Sequence, residues 1–177
     1  LFFNRRYEIE KELTHAVYYG SPVKLPNGKF ETVLYNMEGQ KIIYTQWSDQ
    51  SISKKSGLFE RYDNTGILRL SCFYDNNQLT GPFKTWYENG IPANSVYMKK
   101  NMRDGVWESF YETGFKKDSG TYENDIASGL WSFWDENGDT RSIGAIKNNH
   151  ITGDWKTYDR NGKILYIKRY RKSRYDV

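Results

Sequence analysis

Six acidic residues, Asp63, Glu88, Glu112, Asp135, Glu136 and Asp159, stand just ahead of glycines in short polar stretches such as "DNTG", "YENG", "YETG", "DENG" and "DRNG". Carboxylates in pairs can divide the work of an acid and a nucleophile or base in glycoside hydrolysis. Two histidines, His15 and His150, and one thiol, Cys72, complete the groups that could attack a carbonyl or hold a metal. None of them has a pattern of its own. Each acid recurs because the stretch around it recurs, which is the behaviour of a turn residue. His150 occupies a phase filled elsewhere by Gln78, Met102 and Ile126, and Cys72 a phase filled by Val96, Gly120 and Gly144. That describes a surface histidine beside a turn and a small strand residue. Two isolated histidines and one cysteine make neither a zinc site nor a disulfide framework. The glycines are too far apart, and too regularly followed by strands, to cradle a phosphate. The expectation is a protein that is not an enzyme and uses no cofactor and no metal.

The same residues point to what organises the chain. Gly57, Gly81, Gly105, Gly129 and Gly153 are 24 residues apart without a slip. Gly66, Gly90, Gly114, Gly138 and Gly162 follow each of them by nine, so ten of the 15 glycines obey two phases. Aromatic columns keep the same ruler: Phe59, Phe83, Trp107, Trp131 and Trp155 two residues after the first glycine, and Tyr62, Trp86, Phe110, Trp134 and Tyr158 five after it. A third column, Tyr74, Met98, Tyr122, Ile146 and Tyr170, stands eight residues after the second glycine. Gly39 and Trp47 belong to an earlier unit in which "SDQSISKKS" reads as a lengthened loop. A period of this length is the signature of a repeat architecture.

Each unit reads as two short strands and two turns. "LWSFW" is rich in large rings and runs straight into "DENG", and Asn-Gly and Thr-Gly pairs favour the positive dihedrals of tight antiparallel turns. The returning strand, "ILRLSCFY" or "FKKDSGTY", is closed by "DNNQLTG", "KKNMRDG", "ENDIASG" or "KNNHITG", read here as turns ending on glycine. Helical periodicity is absent, and glycine at these phases would weaken a helix. The fold class expected is all-β, an elongated, twisted antiparallel meander of tandem 24-residue hairpins that grows by about 10 Å per repeat. A short irregular or helical cap is expected over residues 1–29, the repeat sheet over 30–170 and a basic tail over 171–177. The two ring columns lie an odd number of residues apart, so a strict pleat sends them to opposite faces; a bulge near the turn would bring them together.

Aromatic residues make up 17% of the chain and charged residues 27%, with a formal net charge of +4. Six of the 26 basic residues fall in residues 163–177 against one acid, Asp176, and the rest of the chain is near neutral. That distribution does not favour nucleic acid, which calls for positive charge spread over a face. No run of 18 apolar residues is present to span a membrane as a helix. The basic stretch suits a terminal strand that resists edge pairing. It equally suits contact with anionic lipid through Lys168, Arg169, Arg171, Lys172 and Arg174.

The pattern G-x-W-x-x-W/Y-x-x-N-G in "GLWSFWDENG", "GPFKTWYENG" and "GDWKTYDRNG" resembles the MORN-variant repeat of bacterial proteins assigned to a toxin–antitoxin family. The resemblance covers residues 57–170 well and 30–56 more loosely. It implies a binding protein, an antitoxin or immunity protein that occludes a cognate toxin or secreted effector and is monomeric when free. A membrane- or envelope-associated scaffold is the alternative. The chain opens on Leu1, and the expected setting is bacterial: periplasmic or membrane-anchored with a leader removed, with the cytoplasm as the other choice. Trp and Tyr are favoured interface anchors. The residues expected to meet the partner are the second rings Trp86 and Trp134, together with Tyr87, Tyr111 and Phe133, which depart from what other repeats carry at their positions.

Overall fold

The structure, a computed structural model, describes residues 2–3, 9–10 and 18–171. Much of the expected N-terminal cap and nearly all of the tail, including Lys172 and Arg174, lie outside the described residues. The described residues form strands and turns and no helix. They fall into two compact units, Leu1–Gly90 and Ile91–Val177.

In the first unit, β1 (Phe2–Phe3) pairs with β2 (Ile9–Glu10) and β3 (Tyr18–Tyr19). β3 and β4 (Pro22–Lys24) lie against β5 (Phe30–Asn36). An antiparallel succession then runs through β6 (Lys41–Trp47), β7 (Lys55–Tyr62), β8 (Leu68–Asp75) and β9 (Gln78–Trp86). In the second unit β10 (Pro92–Lys99) pairs with β11 (Met102–Arg103) and β12 (Gly105–Phe110). From there each strand meets the next: β13 (Lys116–Glu123), β14 (Ile126–Trp134), β15 (Thr140–Lys147), β16 (His150–Tyr158) and β17 (Ile164–Tyr170). The hairpin meander expected from the glycine period is the observed architecture of each unit.

Two kinds of turn alternate. At one end a residue such as Asp135 opens a loop whose glycine, Gly138, donates to the Asp135 carbonyl at 3.0 Å with φ of +89°. The Asp135 carboxylate accepts from the Asn137 and Asp139 amides, both at 3.0 Å, so the side chain completes the turn. Asp63, Asp159 and Asn36 do the same in their own loops. Recurrence of acids at this phase thus has a conformational cause.

The other end differs from the sequence reading. The connection is two residues long, Asn76-Asn77, Asn124-Asp125 or Asn148-Asn149, and both residues have φ between +47° and +67°. This is the mirror-image turn that matches strand twist, and Asn and Asp tolerate it best after glycine. The glycine thought to end that turn lies inside the next strand. Gly129 sits at φ +77° where three residues of β14 face the single Gly120 of β13, a local bulge. Gly81 and Gly153 stand at the corresponding shifts in β9 and β16.

The second residue of the two-residue turn also reaches sideways. Asn77 donates its amide to the Lys55 carbonyl at 3.0 Å, and its side-chain oxygen accepts the Lys55 amide at 2.8 Å. Asp125 clasps Arg103 in the same way at 2.9 Å in both directions. Asn149 clasps Ala127 at 3.1 and 2.7 Å. Each turn therefore continues the ladder across to a third strand.

A further bulge settles where the ring columns point. Opposite Arg61 and Tyr62 the pairing jumps from Leu70 to Leu68, leaving Arg69 extra on the returning strand. Lys117, Arg141 and Leu165 are extra in the same phase. Because the extra residue is on the returning strand, the leading strand keeps its pleat. Phe59 and Tyr62, or Trp131 and Trp134, therefore occupy opposite faces.

One face of each unit is packed. In the first, Leu34, Ile42, Ile43, Trp47 and Ile52 form a buried cluster with Tyr18, Phe30 and Phe59 against it. The lengthened loop contributes Ile52 to that cluster, held at φ +51° while Asp49 accepts the Ser53 and Lys54 amides beside it. In the second unit rings run edge to face and stacked: Trp107, Tyr122, Trp131, Phe133 and Trp155, with centroids 5.3–6.3 Å apart. Such pairs contribute about 0.5–1.5 kcal/mol each beyond area burial. Trp131 covers Gly120, and a Cβ there would stand 2.1 Å from the indole.

Two stability predictions follow from these contacts. Asn149→Ala should lower the unfolding free energy by about 1–3 kcal/mol in urea titration, whereas Asn149→Asp, the residue type Asp125 uses, should hold it near the parent value. Gly120→Ala should cost about 1–3 kcal/mol by forcing the indole aside, and Trp131→Phe in the same chain should recover part of that loss.

Candidate interaction surfaces

The groups able to do chemistry are dispersed. Cys72 is 1% exposed in the middle of β8, and burial pushes its thiol up to about 11, with Lys55 opposing the shift. His150 lies exposed at the start of β16, next to a turn. Among the described residues no three His, Cys, Asp or Glu side chains are grouped to hold a metal. No helix among them is long and apolar enough to cross a membrane.

The other face of each unit carries the side chains that alternate with the packed ones. In the first unit it bears Glu31, Val33, Tyr35, Tyr44, Gln46, Glu60 and Tyr62. Lys41 donates to the Tyr62 hydroxyl at 3.0 Å and stands 4.2 Å over that ring. Tyr62 in turn donates to Glu60 at 2.6 Å, and burial followed by that bond pushes its hydroxyl well above the usual phenol range. The Tyr44 hydroxyl is also pushed up, first by burial and then by its bond to Glu31.

In the second unit the corresponding face bears Tyr97, Val106, Phe110, Leu130, Ile143 and Trp134. Three of these stay far out in solvent: Tyr97 at 52%, Val106 at 61% and Leu130 at 65% exposed. Val106 and Leu130 are one repeat apart, directly after Gly105 and Gly129. Nothing in the sequence marks them as unusual, since an apolar residue in a strand normally announces burial.

The five expected partner residues are all half-buried and do not share one face. Trp86 and Tyr87 are in the first unit, at the end of β9 and in the following turn. In the second, Tyr111 donates its hydroxyl to the Trp134 carbonyl at 2.9 Å, which brings those two together. Burial, then Glu136 and Asp135, pushes the Tyr111 hydroxyl up. Phe133 alternates with Trp134 and sits on the packed face, stacked on Trp131 and 5.6 Å from Trp155. Of the expected lipid contacts, Arg169 is bound through two nitrogens to Asp154 at 2.7 and 3.2 Å. Lys168 lies 4.9 Å over Tyr170, and Arg171 is exposed.

The Cys72 environment is testable. Ellman's reagent at pH 8 should label the native thiol far more slowly than the urea-unfolded one. Between pH 9 and 11 the unfolded thiol ionises before the folded one, so stability should fall over that window and fall less in Cys72→Ala.

Comparison with known proteins adds a family likeness. The pattern described as MORN repeat variant matches residues 79–100 and 151–172, two stretches in the same phase of the 24-residue period. No curated protein matches the chain. The chain carries MORN-variant repeats at two positions and builds them into a repeat scaffold of β-hairpins.

Proposed function

We propose that this chain is a non-catalytic binding protein of the antitoxin or immunity class, which neutralises a toxin or secreted effector by covering its working surface. The observation that carries the reading is the exposed apolar row of the second unit, Tyr97, Val106 and Leu130, on the face the ring ladder does not use. More than half of each of these side chains stays uncovered in the free protein. Repeat sheets present broad surfaces of this kind, and buried aliphatic and aromatic anchors supply most of the energy when a partner lands on one. The half-buried Trp134 and the Tyr111 hydroxyl tie lie on or beside the same face and would extend the contact.

Steric occlusion needs area and a rigid backing. The backing is the ladder of rings and the turn clasps described above. A toxin of any chemistry would be blocked in this way, so the partner is defined by surface and not by reaction. The test is protection of cells expressing the toxin encoded beside this gene. Val106→Glu with Leu130→Glu should abolish protection and weaken the complex by at least about tenfold, with thermal unfolding unchanged. Full protection by that doubly substituted chain would sink the assigned face, and failure of the parent to bind or protect would sink the function.

A further inference from the structure

The first unit holds a cleft of about 420 Å³ beside the gap between β3 and β4, lined by Tyr19, Gly20, Val23, Glu31, Val33 and Tyr35 among others. Two features give it a chemistry. The Tyr19 and Tyr35 rings stack with centroids 5.7 Å apart and planes at 29°, forming an aromatic wall. Among the described residues Glu31 is the one charged residue of the lining.

The Glu31 carboxylate is built into place by a relay across three strands. The Leu58 amide of β7 donates to the side-chain oxygen of Gln46 on β6 at 3.1 Å. The Gln46 nitrogen donates to the Tyr44 hydroxyl at 2.9 Å, and that hydroxyl donates to Glu31 Oε2 on β5 at 2.8 Å. Among the described residues no Lys or Arg forms an ion pair with Glu31. Lys41, on the same face, donates to the Tyr62 hydroxyl and stands over the Tyr62 and Tyr44 rings at 4.2 and 5.5 Å, with no ion pair to Glu31. The floor is equally specific: a Cβ on Gly20 would stand 2.3 Å from the Val33 carbonyl oxygen, so only glycine lets the chain pass there.

We propose that this cleft is a docking site for an arginine side chain of a partner polypeptide. A held carboxylate with spare acceptor capacity, ion-paired to no Lys or Arg among the described residues, favours a positive group by charge complementarity. Stacked tyrosine rings attract the same charge through their π faces. Arginine meets both demands at once, because its planar guanidinium stacks on a ring while its edge donates two parallel hydrogen bonds to a carboxylate. Lysine offers a point charge and no plane. Exposed Val23 at the rim gives the flanking peptide an apolar support. This site is independent of the occlusion surface proposed above, which lies in the other unit.

The experiment is a nitrogen-15 titration of the whole chain with the blocked tripeptide acetyl-Gly-Arg-Gly-amide, its citrulline counterpart and ethylguanidinium. The arginine peptide should shift the amides of Tyr19, Gly20, Ser21, Val23 and residues 31–35. The citrulline peptide, equal in shape but uncharged, should bind at least about tenfold more weakly. Glu31→Gln should cause a similar loss, and Tyr44→Phe, which cuts the relay but keeps the ring, a smaller one. If Glu31→Gln lowers the unfolding temperature, the citrulline comparison and Tyr44→Phe on folded protein still decide. Absence of localised shifts, or equal binding of the citrulline peptide, overturns the site. Ethylguanidinium binding as tightly as the peptide overturns the polypeptide as occupant.

Discussion

Each unit depends on the way the second residue of a two-residue turn clasps a neighbouring strand. A sheet only one layer deep loses strands from its margins unless something ties each hairpin to the next. Asn77 on Lys55, Asp125 on Arg103 and Asn149 on Ala127 supply that tie with paired hydrogen bonds between polar groups that would otherwise face water. The clasp requires a positive φ and a short side chain with an acceptor oxygen at once. Asn and Asp meet both conditions, and glycine meets only the first. It also sets the distance from the turn back to the clasped strand, so a change in loop length would misplace it. The clasped pairs are 22 residues apart in all three cases.

With hairpins tied at their ends, the packed face can be assembled from rings. The ladder from Trp107 to Trp155 works because a glycine stands under each of the last two indoles: Gly120 beneath Trp131 and Gly144 beneath Trp155. Indole N–H groups find acceptors nearby, Asp118 for Trp107 at 2.5 Å and Thr32 for Trp47 at 3.1 Å. The first unit uses aliphatic side chains for the same purpose and draws Ile52 in from a polar loop. The packed face holds the sheet together, and the opposite face is left free to differ from repeat to repeat.

Much of this was legible in the residues. The hairpin succession, the small strand residue at Cys72 and the surface position of His150 all depend on phase, and phase is what a repeated sequence displays; the faces of the two ring columns stayed open, because they turn on which strand carries the bulge. The clasp was not legible, because it joins Asn77 to Lys55 and register across strands leaves no local mark. Gly81, Gly129 and Gly153 looked like turn residues because they follow amide-rich stretches; the mirror-image turn consumed only the two residues before Gln78, Ile126 or His150. Ile52 sits among serines and lysines, where burial has no periodic signal. The relay from Leu58 through Gln46 and Tyr44 to Glu31 spans three strands and could not be read from any one of them.

Departure from the repeat is therefore weaker evidence of a partner than it looks. Tyr111 stands where Asp63, Asp135 and Asp159 use a carboxylate to close their own turn, so the substitution gives up two amide contacts. It recovers a bond from its hydroxyl to the Trp134 carbonyl and a lysine, Lys117, 5.7 Å over its ring. Phe133 replaces polar residues of other repeats and is repaid by stacking on Trp131. Both changes have local reasons inside the fold. Val106 and Leu130 depart less from strand chemistry but stay 61% and 65% exposed. Apolar exposure shared by two positions one repeat apart, rather than an odd residue in a repeated column, is the stronger pointer to a contact surface.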